Sequence, residues 1–243
     1  MIGTFIYKSL KASSKFRANV MFATLFMVVS NLTFMFSLLY ITHQTNGFGL
    51  ITTQQAIMAF TIANCAYVFG LVFFRGIVHL QKLIINGHLD TLLIRPVSIY
   101  KHILVYELNP YALGEIITVI IFLLLIPPQD IPIVLFYSLC SAILLHCVVL
   151  ICNTLPFFID TNKPIAFWDT IITFMFYPTY MTPFYIKIIT FLVLPGALMS
   201  FGPIFAMQHP MVAFYYFTFV IGSVVLAYTL FTLGIKRYRS AGI

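Results

Sequence analysis

The sequence predicts an all-α polytopic membrane protein with six transmembrane helices, an N-terminal interfacial helix and re-entrant outer helices before the last span. Three observations lead there. First, 61% of the 243 residues are hydrophobic and 8% are charged, whereas soluble domains carry about 25% charged residues. A soluble core could not hide so much apolar side chain, so the bilayer must act as the solvent. Second, six apolar stretches occupy residues 18–41, 54–78, 104–126, 131–155, 165–182 and 211–234, most of them near the roughly 20 residues that cross about 30 Å of hydrocarbon. Third, the basic residues are one-sided. Lys8, Lys11, Lys15 and Arg17 precede the first span; Arg75, Lys82, Arg95 and Lys101 flank the second-to-third loop; Lys163 precedes the fifth; Lys236, Arg237 and Arg239 follow the sixth. Only Lys187 falls on the other side, so the positive-inside rule places both termini in the cytoplasm.

The elements follow in order. Residues 2–16 read as an amphipathic helix within a segment 1–17, with Lys8, Lys11 and Lys15 on one face and Ile2, Phe5, Ile6, Ala12 and Phe16 on the other. An ordinary basic flank is the alternative reading. The rest, 18–243, forms a single membrane domain. Its first apolar run is too long for a secretory signal, whose apolar region is about 7–15 residues. The net charge of +7 is a topology signal, with attraction to anionic headgroups as its secondary effect, and points to no nucleic acid.

The third span opens at Leu104 and carries Glu107, Asn109, Pro110, Gly114 and Glu115. Pro110 removes a backbone donor and bends the helix near its cytoplasmic end. Glu115 sits eleven residues beyond Leu104, about 16 Å deeper at roughly 1.5 Å per residue. There an ionisable group must be paired, protonated or turned to a wet cavity. Glu115, with Asn109, therefore marks a translocation path or subunit interface, or else Glu115 is a hydrogen-bonded packing residue. His146, in the fourth span, reads as a hydrogen-bonded core residue, because one buried histidine cannot supply a facing haem pair. Cys65, Cys140, Cys147 and Cys152 all fall inside spans, form no Cys-x-x-Cys pair, and read as small buried apolar residues. Between the fifth and sixth spans, residues 184–207 are broken by Pro183, Pro195, Gly196, Gly202 and Pro203. Lipid tolerates irregular backbone only where protein or water shields it, which favours a re-entrant segment, about 183–210, over a seventh span. With Pro178 and Lys187 it forms either an outer gate or a loop folded against the bundle.

Several chemistries are excluded by pattern. No Gly-x-x-x-x-Gly-Lys-Ser/Thr loop is present and the dipeptide Gly-Lys never occurs, so nucleotide phosphates have no P-loop. Neither Gly-x-Ser-x-Gly nor His-Glu-x-x-His is found. Six acidic residues in all leave little for a proton relay, and no inverted repeat is evident.

The stretch Asn86 to Pro96 is the most ordered polar interruption of the apolar pattern. Gly87 can end the preceding helix, and Asp90 favours the start of a short new one through the helix dipole. Leu89, Leu92 and Leu93 lie at i, i+3, i+4 and make an apolar knob. Pro96 restricts Arg95 and stops the helix. The knob fits a groove in a soluble partner, or else it is a turn that packs only against its own bundle.

The pattern Gly87-x-Leu89-Asp90-x-Leu92-Leu93-x-Arg95-Pro96 resembles a signature of one branch of bacterial ABC-2-type transport permeases. The tail from Gly234 through Lys236, Arg237, Tyr238 and Arg239 to Gly242 is similar to the end of that branch, as is the outer segment Tyr177, Pro178, Pro183, Lys187, Pro195, Gly196. The resemblance implies a non-catalytic half-transporter in the bacterial cytoplasmic membrane. Two six-helix permeases, identical or merely similar, would form the membrane domain, and separate ABC ATPase subunits would bind ATP and Mg2+ in place of this chain. It further implies that a coupling loop, about 79–103, meets the ATPase through Gly87, His88, Leu89, Asp90, Leu92, Leu93, Arg95 and Pro96. The cargo expected is amphiphilic: lipid, lipid-linked glycan, peptide or drug. The rival classes are an ATP-independent carrier or channel, a membrane enzyme acting on lipid-linked substrate, and an anchor that signals through an ATPase.

Overall fold

A computed structural model describes residues 17–44, 51–72, 74–94, 96, 98–104, 113–159, 167–177, 183–188, 191 and 195–239. The predicted helix over 2–16 lies outside them. Among the described residues every regular element is helical.

α1 (Arg17–Gln44) is long and apolar, yet little of it is covered: Phe22, Leu25, Phe26, Val29 and Phe36 all face outward. α2 (Thr53–Tyr67) is the reverse. Ten of its 15 residues are buried, which makes it the central helix. It opens on a capping box: the Gln55 backbone N–H donates to Thr52 Oγ1 at 3.3 Å, and the Thr52 N–H donates to Gln55 Oε1 at 2.8 Å. Ala56, Ala59, Ala63 and Ala66 give it a slim surface against which other helices pack closely. α2 then widens into a π-helical stretch, Val68–Val72, followed by a 3-10 turn, Arg75–His79.

Three short helices come next: α3 (Leu80–Ile85), α4 (Leu89–Leu93) and α5 (Ile99–Leu104). α6 (Leu113–Leu124) packs along α1. A Cβ on Gly114 would meet Thr24 O and Met27 Cβ, both at 2.7 Å, so only glycine lets these two backbones approach this closely. α7 (Ile131–Thr154) starts with a proline in its first turn, where no donor is lost, and ends in a 3-10 turn, Leu155–Phe157. α8 (Phe167–Phe176), α9 (Phe184–Ile188), α10 (Gly196–Gln208) and α11 (Pro210–Arg237) complete the chain.

α7 lies between α2 and α11. The Ser141 and Tyr216 hydroxyls, 2.7 Å apart, fix α7 to α11. Phe60 gathers four helices: it stacks on Phe34 of α1 at 5.4 Å and meets Phe122 of α6 and Phe176 of α8 edge-on at 5.2 and 5.6 Å. Such pairs add about 0.5–1.5 kcal/mol beyond the area they bury.

Among the described residues, four helices are long and apolar enough to cross a membrane: α1, α2 with its π-helical extension, α7 with its 3-10 end, and α11. The predicted third and fifth spans are represented by α6, of 12 residues, and α8, of 10. One expected break is absent. Gly202 and Pro203 do not interrupt the chain, because α10 runs through both from Gly196 to Gln208. A proline removes one backbone hydrogen bond, but Pro203 is buried among α10's neighbours, and packing of this kind holds broken ladders helical in membranes.

Candidate functional site

The segment expected to couple, residues 86–96, is built from its glycine outward. α3 ends where the Asn86 N–H donates to Lys82 O at 3.0 Å and the Gly87 N–H donates to Ile84 O at 3.2 Å. Gly87 then takes φ 69°, the left-handed conformation that closes helices and suits glycine. The Gly87 carbonyl accepts from the Asp90 N–H at 3.2 Å, which launches α4, with Asp90 in its first turn. Thr91 Oγ1 donates to His88 O at 2.8 Å. The turn is thus tied at both ends by backbone bonds.

The three leucines separate. Leu89 is fully buried and Leu92 nearly so, both packed in the main core with Leu80, Leu83 and Ile103. Leu93 is 38% exposed and Ile94 85%. His88, Thr91 and Pro96 also face outward, while Arg95 lies outside the described residues. The apolar stripe therefore faces the bundle, and the outward tip is Leu93 with Ile94. Ile94 escaped the sequence reading because it falls outside the i, i+3, i+4 stripe. Its signal was a large apolar residue next to Pro96, where a helix must stop.

Other elements brace this end of the bundle. Gln81 Nε2 donates to the Cys152 carbonyl at 3.3 Å, joining α3 to α7. Gly234 of α11 sits on the Phe157 ring so closely that a Cβ would enter it. One turn later Tyr238 meets Phe157 edge-on at 6.0 Å, and the Arg237 guanidinium lies 5.6 Å from the Phe158 ring centroid. The Tyr238 hydroxyl is buried without an aligned hydrogen-bond partner beside the Asp90 carboxylate. Burial, then the Asp90 carboxylate as a nearby hydrogen-bond acceptor and as a negative charge, push its pKa up to about 12. The contact is mechanical: the turn around Gly87 and the end of the last helix rest on one another.

Of the inner residues, Asn109 lies outside the described residues. Glu115 is buried in the seam between α1 and α6, where Asn31 Nδ2 donates to its Oε2 at 2.8 Å. Asn31, 84 positions away in sequence, is a partner that the sequence reading missed. His146 is hydrogen-bonded as expected, with its Nε2 2.7 Å from the Tyr100 hydroxyl and its Nδ1 3.3 Å from the Gly70 carbonyl. Among the described residues no three His, Cys, Asp or Glu side chains converge as a metal ligand set.

Of the residues expected at the outer end, Pro178 lies outside the described residues. Pro183 is exposed and accepts from the Ile186 N–H at 3.0 Å, opening α9, whose backbone includes Lys187. Pro195 precedes α10 as its cap residue. Gly196 is buried where a Cβ would collide with Ile171 O and with the Met175 amide 2.7 Å away, so α10 begins backbone-to-backbone on α8.

A family model described as ABC-2 family transporter protein matches residues 21–242. The chain belongs to the ABC-2 transporter family. Comparison with curated proteins and with solved structures finds no significant match. The match covers the long apolar helices, the turn around Gly87 and the C-terminal tail together. The ABC-2 protein is thus an integral membrane permease of an ABC transporter, a family of transport subunits whose partner is an ABC ATPase.

Proposed function

We propose that this ABC-2 permease is one six-helix half of an ATP-driven exporter in the bacterial cytoplasmic membrane, with both termini in the cytoplasm. It moves an amphiphilic substrate, such as a lipid, a lipid-linked glycan, a peptide or a drug, out of the cytoplasm or inner leaflet. It performs no covalent chemistry. ATP and Mg2+ belong to the partner ATPase, whose closure pushes the coupling segment and shifts the bundle between states of different cargo affinity.

The observation that carries this reading is the divided coupling segment. Leu89 and Leu92 anchor it in the core, Gly87 and Asp90 set its angle, and Leu93 and Ile94 project. A rigid knob rooted in the bundle and bare at its tip is what a soluble engine can push. Pro96 extends the same surface, and Arg95 is assigned to it by its place in the sequence pattern alone. A second permease, identical or similar, packs on the bare apolar face of α1, with Glu115 behind it along the path, to which Asn109 is assigned by sequence alone, and lipid around the rest. Pro183, Lys187, Pro195 and Gly196, with Pro178, close the outer end.

The test separates tip from root. Leu93→Asp with Ile94→Asp should abolish co-purification of the ATPase while the permease still inserts and elutes as a single species. Leu92→Asp should instead lower the yield of folded permease, since it puts a carboxylate in the core. If the tip variant keeps its ATPase, the coupling assignment falls. If a purified preparation moves cargo in vesicles without nucleotide, the exporter reading falls.

A further inference from the structure

A groove runs up the outside of the bundle between the π-helical stretch after α2, α5, α7 and α11. It consists of two adjoining cavities of about 780 and 560 Å³ that share Tyr100, His146, Cys147 and Val224 as walls. Each volume lies within the roughly 300–1,000 Å³ of small-molecule sites. α1 contributes no wall.

Three features say what fills it. The first is length. On α11 the wall runs Val224, Ala227, Tyr228, Phe231, Ile235, Lys236, spacings that keep to one helix face. Val224 to Lys236 is twelve residues, about 18 Å along the axis, close to the depth of one leaflet in a hydrocarbon core about 30 Å thick. The second is polarity by depth. The inner cavity is lined by Phe69, Phe74, Leu104 and Ile143, and its two polar side chains, Tyr100 and His146, are already bonded to each other at 2.7 Å. No polar group there seeks a ligand. Polar groups gather only at the other end, where Ser98, Thr232 and Lys236 line the mouth. The third is access. The rim residues Leu139, Ile143, Val224 and Tyr228 are all exposed, so the groove opens sideways. In a bilayer such an opening meets acyl chains, and a lysine at its mouth meets headgroups.

We propose that this groove holds one acyl chain of an anionic phospholipid from the leaflet at the coupling end, with the headgroup phosphate on Lys236. That leaflet is set by contact, since α11 ends where Tyr238 lies beside Asp90 of the coupling segment. The occupant is a resident lipid and not the cargo, because the groove lies apart from the α1 face proposed for the path. The chain lies against Tyr100 on α5, so it steadies the helix that directly follows the knob. Lipid occupancy rests on membrane placement alone, and only the distinction between resident lipid and cargo rests on the proposed path along α1.

The test uses the full permease in nanodiscs with a phosphatidylglycerol bearing a diazirine in its acyl chain, set against the matching phosphatidylcholine. Peptide mapping after illumination should concentrate the adducts of the anionic probe on Tyr100, Cys147, Val224 and Tyr228. Lys236→Gln should cut the preference for the anionic probe about fivefold, the share of one juxtamembrane lysine. Val224→Trp or Ile143→Trp, both at partly exposed positions, should plug the groove and reduce labelling there to background. Retained ATPase co-purification would show that the plugged variants are folded. Adducts spread evenly over α1 and α11 in the unaltered protein overturn the proposal, as does labelling indifferent to headgroup charge. Cross-links that place a second copy of the chain in the groove overturn it too.

Discussion

Single atoms decide much at the turn around Gly87. Gly87 holds φ 69° while both its N–H and its carbonyl are engaged, so the backbone cannot relax without breaking a bond. A side chain there costs roughly 1–2 kcal/mol for the left-handed conformation. Gly87→Ala should lower the thermal midpoint of the purified permease accordingly, and Gly87→Asn should cost less, because asparagine tolerates this region. Equal effects of the two would show that space, not backbone conformation, selects glycine. Tyr238 offers a different handle. Its hydroxyl ionises at about 12 in the folded chain against 10.0 for the free group. Below pH 10 both folded and unfolded chains are protonated there and the shift has no effect. Between 10 and about 12 the folded chain keeps a proton that the unfolded chain has lost, so stability falls as pH rises through that window. Thermal midpoints measured from pH 9 to 12 should fall less steeply in Tyr238→Phe than in the unaltered protein. Parallel slopes would remove Tyr238 from the neighbourhood of Asp90.

Between helices, contact distances decide which substitutions are tolerated. Gly234 lets α11 cross Phe157, and the same crossing brings Tyr238 to Asp90. Gly234→Ala should push the end of α11 outward at a cost of about 1–3 kcal/mol, typical of overpacking, and weaken ATPase co-purification. Adding Phe157→Leu should recover part of both losses, and a double variant no better than the single would place the damage elsewhere. This contact was hidden in the sequence, where Gly234 was only part of a tail pattern. The long apolar helices were readable because a lipid solvent dictates length and composition together, so α1, α7 and α11 stand close to their predicted places. Gly87 was readable because few residues other than glycine reverse a chain there. The facing of the leucines was not, since i, i+3, i+4 spacing describes a stripe turned inward as well as one turned outward. The π-helical stretch after Tyr67 was equally silent, as it depends on α7 lying against Gly70, where a Cβ would sit 3.0 Å from Ala142 O. Pro203 misled in the other direction, because burial keeps α10 helical across it.

Taken whole, the molecule is unevenly covered. Some 78% of the apolar window of α2 is buried but only 11% of that of α1, although both are long enough to span. Lipid alone could solvate α1, since its outward residues are apolar. Its inner side argues for more. α1 holds the Glu115 carboxyl group through Asn31 and the α6 backbone through Gly114, so a costly ionisable group is kept at depth by a helix that is otherwise bare. A second permease on that face would bury the seam and leave Glu115 beside the junction of two subunits, where a path for cargo would run. Cysteines placed at Phe26 or Val29, with the four native cysteines replaced, should form oxidative cross-links to another permease chain in membranes. A cysteine at Phe136 on α7, also outward but far along the chain from α1, should not. Cross-linking from α1 to an identical chain would make the permease a homodimer, and cross-linking only to a co-expressed similar permease would make it one half of a heterodimer. If neither forms while Phe136→Cys does, the subunits meet through α7, and Glu115 is then a packing residue away from any path.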